Sequence, residues 1–509
     1  MVDPYYYKGT LSRNIALASP ELVIRDSTTP FDLYGGAANT AGLALRKKKN
    51  FITNNILYYN ENAKNEISFL PSLHSLTEMR AGLFYLDGTL TYWLTNNDVI
   101  STSLYYGLVN SGLKNISEGM MGTNIGYDWN LNMSAYSGLI EYSRLITKNF
   151  TAGIILASYL NSKPSESDFP SLPQGGTCYI SAPDKIGLGL SACFVPDLQF
   201  GKLTTGLNIK NFNKQIINNY LLKTDEISVF KDYIDLFNIE TIQKAQALDS
   251  FIISKIRDDV SGINTDIAAS FEKETLQILC DIGLTMGISA KETGESKITD
   301  ETTGTTLTIT LPEYEKIKDG ILTDIKLKSR YGLSIFDIGL GLEIKFGGYK
   351  LFTGTVTQAL ERTLNSFKIT AGTSVKPIIN LIFPLEISFE NAIQTDKVAS
   401  ENNYYYSTFT GKIGVEYLLS KEIALRLGTI YENASQTQKI SGVEGPAAGT
   451  ENNPNTYNII LSFGGGYDLK SMRFDLTGWY NFGGLSPTPA ITTNSISVFV
   501  IMLSSFISL

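Results

Sequence analysis

The stretch Lys421–Tyr431, KEIALRLGTIY, decides how this chain is read. Ile423, Leu425, Leu427, Thr429 and Tyr431 share one parity, while Ala424, Arg426 and Gly428 take the other. Side chains of a β-strand alternate between two faces, so this segment is a strand with one greasy face and one small or polar face. The segment just before it repeats the pattern. In TFTGKIGVEYL, Phe409, Ile413, Val415 and Tyr417 oppose Thr410, Lys412, Gly414 and Glu416. RFDLTGWYNF sets Phe474, Leu476 and Tyr480 against Arg473, Asp475 and Thr477, and KIGLGLSACF and KLTTGLNIKN behave alike. Polar turns at 148–149, 96–98, 420–421 and 468–471 join such segments.

Two β classes produce this alternation, and the second face separates them. A soluble sandwich or propeller solvates that face with charge. Here charged residues make up 18% of the 509 residues, and Gly, Thr, Asn and Ser fill the face instead. A barrel in a membrane turns its apolar face to lipid and its polar face to a lumen, with aromatic girdles at the interfaces. The tyrosine clusters 58–59, 105–106 and 404–406 are placed at strand ends, where girdles belong. The reading is therefore an all-β transmembrane antiparallel barrel of about 14 strands. Long polar loops at 161–177, 394–403 and 433–455 alternate with the short turns.

Composition removes other classes. The net charge is −8, and the single tight basic run is Arg46–Lys49, so nucleic acid is not a partner. That run reads as the charged start of the first strand at headgroup level. No window of about 18 apolar residues predicts a membrane helix, and the first twenty residues show no signal-peptide core. Cys178, Cys193 and Cys280 give neither a disulfide framework nor a metal pair. His74, the one histidine, lies between Ser72 and Ser75 without a nucleophile elbow, and reads as a loop or strand-end residue. No catalytic group, metal site or cofactor is expected.

From Thr224 to Leu279 the period changes. Ile227, Phe230, Ile234 and Phe237, then Ile242, Ala245, Leu248, Ile252 and Ile256, fall at helical spacing, with Ser261 and Gly262 as a stop and a further short helix from Asp266. This predicts an amphipathic helical insertion over 224–279, packed on itself or on the barrel rim, or, in the sharper reading, a cap over one mouth that binds a protein partner. Within the strands, the polar parity marks lumen-lining candidates: Lys202, Thr204, Lys412, Glu416, Arg426, Asn458, Arg473 and Asp475.

Near the start, Tyr34–Leu45 reads YGGAANTAGLAL, small residues around the polar pair Asn39 and Thr40. Small residues let a backbone run close to another surface. Asn39, Ala41, Gly42 and Leu43 resemble the NPAGL signature of the long-chain fatty acid transporter (FadL-like) family of bacterial outer-membrane barrels, with Thr40 in place of proline. The resemblance implies an N-terminal hatch, residues 1–41, folded inside the lumen of a barrel formed by 42–509. Asn39, Thr40, Ala41, Gly42 and Leu43 then form the plug–barrel junction, with Leu43 entering the first strand. It also implies passive uptake of hydrophobic small molecules across the outer membrane, in contact with membrane lipid. A scaffolding barrel that holds a protein partner through its loops and helical insertion, or a general porin, are the alternative expectations.

Overall fold

The computed structural model describes residues 40–45, 50–70, 73–118, 124–161, 177–181, 185–196, 198–223, 250–300, 306–352, 360–397, 401–441, 450–452, 456–469, 472–485 and 491–509. A short 3-10 helix, η1 (Thr40–Leu45), precedes the strands. These are β1 (Phe51–Leu70), β2 (Leu73–Trp93), β3 (Asp98–Glu118), β4 (Asn124–Thr147), β5 (Phe150–Asn161), β6 (Thr177–Ser181), β7 (Lys185–Phe194), β8 (Lys202–Lys223), β9 (Ser250–Lys273) and β10 (Leu276–Asp300). They continue as β11 (Thr306–Gly332), β12 (Phe336–Leu351), β13 (Leu360–Ile378), β14 (Leu381–Lys397), β15 (Glu401–Leu418), β16 (Ile423–Ser441), β17 (Thr450–Asn452), β18 (Thr456–Leu469), β19 (Met472–Leu485) and β20 (Ile491–Ser508).

Each long strand pairs antiparallel with the next, and β20 returns to pair with β1, Tyr58 opposite Ile501. Two short pieces stand outside this circuit: β6 extends the ladder on β8 above β7, and β17 does so on β16 above β18. The result is a closed barrel of 18 strands, four more than the alternation alone predicts. Closure leaves no unpaired edge around the ring, the condition for a sheet to cross lipid.

The faces separate as hydrocarbon demands. Leu340, Leu427, Leu190 and Leu104 point outward at 57%, 62%, 63% and 67% exposure. Their neighbours of opposite parity, among them Ser103, Glu141, Asp337 and Arg426, are buried within the ring. Apolar outside and polar inside is the inverse of a soluble barrel and the pattern of a transmembrane one. Many strands run 20 to 27 residues, about twice what a tilted crossing needs. They therefore project well past the membrane.

The turns at one end are tight. Leu94 N donates to Asp98 O at 2.9 Å and Leu419 N to Ile423 O at 2.9 Å, while Ser420 Oγ accepts from Glu422 N and Ile423 N at 3.1 Å each. Phe51 and Leu509 lie at this same end, with Leu509 N donating to Asn50 O at 2.8 Å. Short turns and both strand termini together mark the periplasmic side of such barrels.

Several expectations are corrected here. The helical insertion expected over 224–279 is not helical from 250 onward. Those residues build β9 and the start of β10, in register from Leu276↔Lys273 to Asp300↔Ser250. The reason is arithmetic: Ile252 and Ile256 are four apart, a spacing that serves a helix turn and a strand face equally. Residues 224–249 lie outside the described ones, and their flanks Lys223 and Ser250 sit at the end opposite the tight turns. The first strand starts at Phe51 rather than Leu43, because Thr40–Leu45 is a 3-10 turn. The expected loops 394–403 and 433–455 are mostly strand, since β14 runs to Lys397, β15 starts at Glu401 and β16 reaches Ser441. Tyr58, Tyr105 and the 404–406 tyrosines lie within strands rather than at their ends, and Tyr105 faces the lumen.

The outward face predicts a sharp asymmetry in tolerance. Leu340→Lys, about a third of the way up β12, should cost about 2–4 kcal/mol in denaturant unfolding from lipid vesicles. Lys345→Leu, inside the same strand, should change stability by less than about 1 kcal/mol.

Candidate functional site

The lumen has two unlike halves, and η1 belongs to one of them. Ala41, Leu43 and Ala44 are buried, and the turn packs against the inner faces of β4, β5 and β7. Ser143 Oγ on β4 donates to Ala41 O at 2.8 Å. On β5, a Cβ added to Gly153 would sit 3.0 Å from Ala41 N and 2.6 Å from Ser191 Oγ, tighter than side chains tolerate. Glycine at 153 is thus what lets the η1 backbone lie directly on the wall. Leu43 and Ala44 complete the seat against Val99, with Trp93 and Leu145 beside them. Burial of this apolar set, together with the Ser143 bond, fixes the turn inside the tight-turn end of the barrel.

Further along the same strands, Tyr85, Tyr105, Leu139 and Ile155 form a buried apolar cluster, with Leu57 and Leu83 packed against it. All have the lumen parity of their strands, so the cluster lies on the inside of the barrel, as do the buried Val498, Val500 and Met502 of β20. The Tyr85 and Tyr105 rings stand 6.4 Å apart at 32°. Below the cluster the wall is polar: Thr89 and Ser103 hydroxyls meet at 2.8 Å, Asn55 Nδ2 donates to Asp87 at 2.9 Å, and Glu141 is buried beside them on β4.

The wall from β11 to β19 is charged, and its charges are tied within a strand or across one or two strands. Arg426 Nε reaches Glu416 at 2.7 Å and its Nη1 reaches Asp475 at 2.5 Å, while Arg473 Nε holds the second Asp475 oxygen at 2.8 Å. A Cβ at Gly466 would fall 2.7 Å from the Arg426 guanidinium, so the missing side chain there lets the arginine lie flat on β18. Arg330 and Lys376 share Asp337 at 3.0 and 2.8 Å, and Lys412 Nζ meets Glu386 at 3.0 Å. Carboxylate–guanidinium pairs with such geometry offset much of the cost of removing charge from water.

The residues singled out in the sequence fall as follows. Glu416, Arg426, Arg473 and Asp475 are brought into one network, and Lys412 stands four residues before Glu416 on the same lumen face of β15, paired with Glu386. Thr204 is buried inside β8, and Lys202 sits exposed at the tight-turn start of the same strand. Asn458 donates to Glu432 at 3.2 Å, higher on the wall and apart from the Arg426 network. Thr40, Ala41, Gly42 and Leu43 lie in η1, and Asn39 is outside the described residues. His74 is in β2, opposite Ser68 and Glu118 in register, and Ser72 is outside the described residues. Sequence reasoning misses the apolar cluster and the Gly153 seat. A signal for the cluster exists in LFYLDG, where Leu83 and Tyr85 make both strand faces apolar at once.

No known family profile matches the chain, and neither does a curated protein. Among solved structures, the chain is similar to the P. putida toluene transporter TodX, at 11% identity over 97% of each chain with a TM-score of 0.40. It is similar to a Pseudomonas aeruginosa FadL homologue at 11% identity over 97% of each chain, TM-score 0.38. The ferric yersiniabactin uptake receptor FyuA from Yersinia pestis matches at 9% identity over 91% of this chain and 80% of that one, TM-score 0.42. The assignment of the architecture stands on the strand pairing itself: a closed, lipid-facing antiparallel barrel of the outer-membrane kind.

Filling the seat tests its geometry. Gly153→Val should lift η1 from the wall and raise protease cleavage around residues 40–50 at least about tenfold, in a barrel that still migrates as folded. Gly138→Val, where a Cβ meets only Leu104 Cδ2 at 3.8 Å and Ser103 O at 4.0 Å, should leave cleavage unchanged.

Proposed function

We propose that the protein is a bacterial outer-membrane channel for passive uptake of hydrophobic small molecules, in which the N-terminal segment, residues 1–41, plugs the lumen. The observation that carries the reading is the pairing of two features on one side of the ring. η1 is seated inside the barrel on β4, β5 and β7, and beyond it the inside of β2–β5 carries the buried apolar side chains of Tyr85, Tyr105, Leu139 and Ile155. A polar lumen gives a hydrophobic solute no reason to enter, whereas an apolar patch inside it lowers the solute's free energy by about 25 cal/mol per Å² buried. The resemblance of Asn39–Leu43 to the junction of FadL-like barrels supports the same reading.

In this account the solute descends along β1–β5 and meets η1, whose seat holds the end of the plug. Asn39, Thr40, Ala41, Gly42 and Leu43 act as the junction between the plug and the wall. The charged wall keeps most of its charges turned toward each other, as at Arg426 and Asp337, so it gives the apolar solute no surface to bind. The scaffolding alternative loses the helical surface on which it rested over 250–279.

Uptake is read in proteoliposomes loaded with an enzyme or dye that traps a small aromatic hydrocarbon. Leu139→Asp with Ile155→Asp should reduce entry by about tenfold or more, since two charges replace the apolar surface. Arg473→Gln, on β19 and outside the cluster, should leave it within about twofold. Equal entry into protein-free liposomes and into proteoliposomes would overturn the proposal.

A further inference from the structure

The charged wall contains one feature that ion pairing does not account for. Gly341 on β12 and Thr370 on β13 face each other in register and form the floor of a dent in the inner wall. Lys328, Lys368, Lys412, Glu343 and Glu386 surround it. Lys412 is held by Glu386 at 3.0 Å. Glu343 faces Lys326 at 3.8 Å, and that lysine also holds Asp324 at 2.8 Å. Lys368 is different. Its cross-strand neighbours in register are Glu343 and Glu390, yet it pairs with neither, and Glu390 accepts from Ser366 at 2.9 Å instead.

The rim therefore carries three ammonium groups against two carboxylates, and Lys368 brings its charge to the dent without a carboxylate of its own among the described residues. An uncompensated ammonium in a concave wall, beside the hydroxyl of Thr370, suits an acceptor with two oxygens in one plane. A dianion is disfavoured, because Glu343 and Glu386 stand on the same rim and repel a second negative charge. We propose that this dent is a binding site for small water-soluble monocarboxylates. It lies on β11–β15, across the lumen from the apolar cluster, and it stands on its own whether or not hydrophobic solutes use that cluster.

Calorimetric titration of the full chain in detergent tests it with three probes: benzoate, benzyl alcohol and sulfate. Benzoate should bind, with benzyl alcohol and sulfate at least about tenfold weaker. Lys368→Gln should weaken benzoate by about tenfold or more, Lys368→Arg should largely restore it, and Lys421→Gln, in the exposed β15–β16 turn, should not change it. Heat-dependent gel migration confirms that each variant is folded. Benzyl alcohol or sulfate binding as tightly as benzoate, or undiminished benzoate binding by folded Lys368→Gln, would overturn the proposal.

Discussion

A peptide group in hydrocarbon has no water to bond, so every N–H and C=O of a membrane-crossing sheet must find its partner within the sheet. The contact that meets this condition is the ladder between β1 and β20, running from Phe51↔Ser508 up to Ile67↔Ile491. Asn54 and Ser505, 451 residues apart in sequence, are thereby joined side by side, and every other strand is held between them. From this one pairing follow the even number of strands, the tight turns on the side where both ends lie, and a division of each strand into lipid-facing and lumen-facing residues.

Closure also creates an inside in which two kinds of surface are kept apart. One side takes η1 and the apolar cluster, and the other takes the ion-paired wall. Each uses small residues for a specific purpose: Gly153 for the close approach of a backbone, Gly466 for a guanidinium laid flat. The buried charges are held by partners on the next strand, as Arg426 by Glu416, or across one intervening strand, as Arg426 by Asp475 over Gly466 of β18, and the ladder supplies the register that these pairs need. Arg426 between Glu416 and Asp475 is the clearest case, since removal of the arginine would take the guanidinium from Glu416 and leave Asp475 with Arg473 alone.

Much of the barrel is legible in the sequence where one face is apolar and the other small or charged. β15, β16 and β19 are of this kind, and the parity of Arg426, Glu416 and Asp475 by itself assigns them to the inside of the ring. The strand number is less legible for a physical reason. The outer part of β1, with Asn60 and Asn62, and the long outer parts of β9–β11 project into water, where neither face needs to be apolar. Alternation fades in such segments, and even-numbered spacings such as Ile252 to Ile256 pass for helix. The apolar cluster is hidden by the opposite effect: Leu139 and Ile155 lie beside lipid-facing Ile140, Ile154 and Leu156, so the local sequence is apolar on both faces and carries no parity. Gly153 is hidden because its role depends on a turn more than a hundred residues earlier in the chain.

Closure of the chain on itself in the membrane, through β1 and β20, is open to direct measurement by a disulfide cross-link. Tyr58→Cys and Ile501→Cys lie opposite each other on the lipid face, and their cross-link is formed in intact membranes and read by gel migration after denaturation. A closed barrel gives efficient cross-linking of this pair and none for Tyr58→Cys with Leu340→Cys on β12. Absence of the 58–501 cross-link in a folded, membrane-inserted protein would contradict closure.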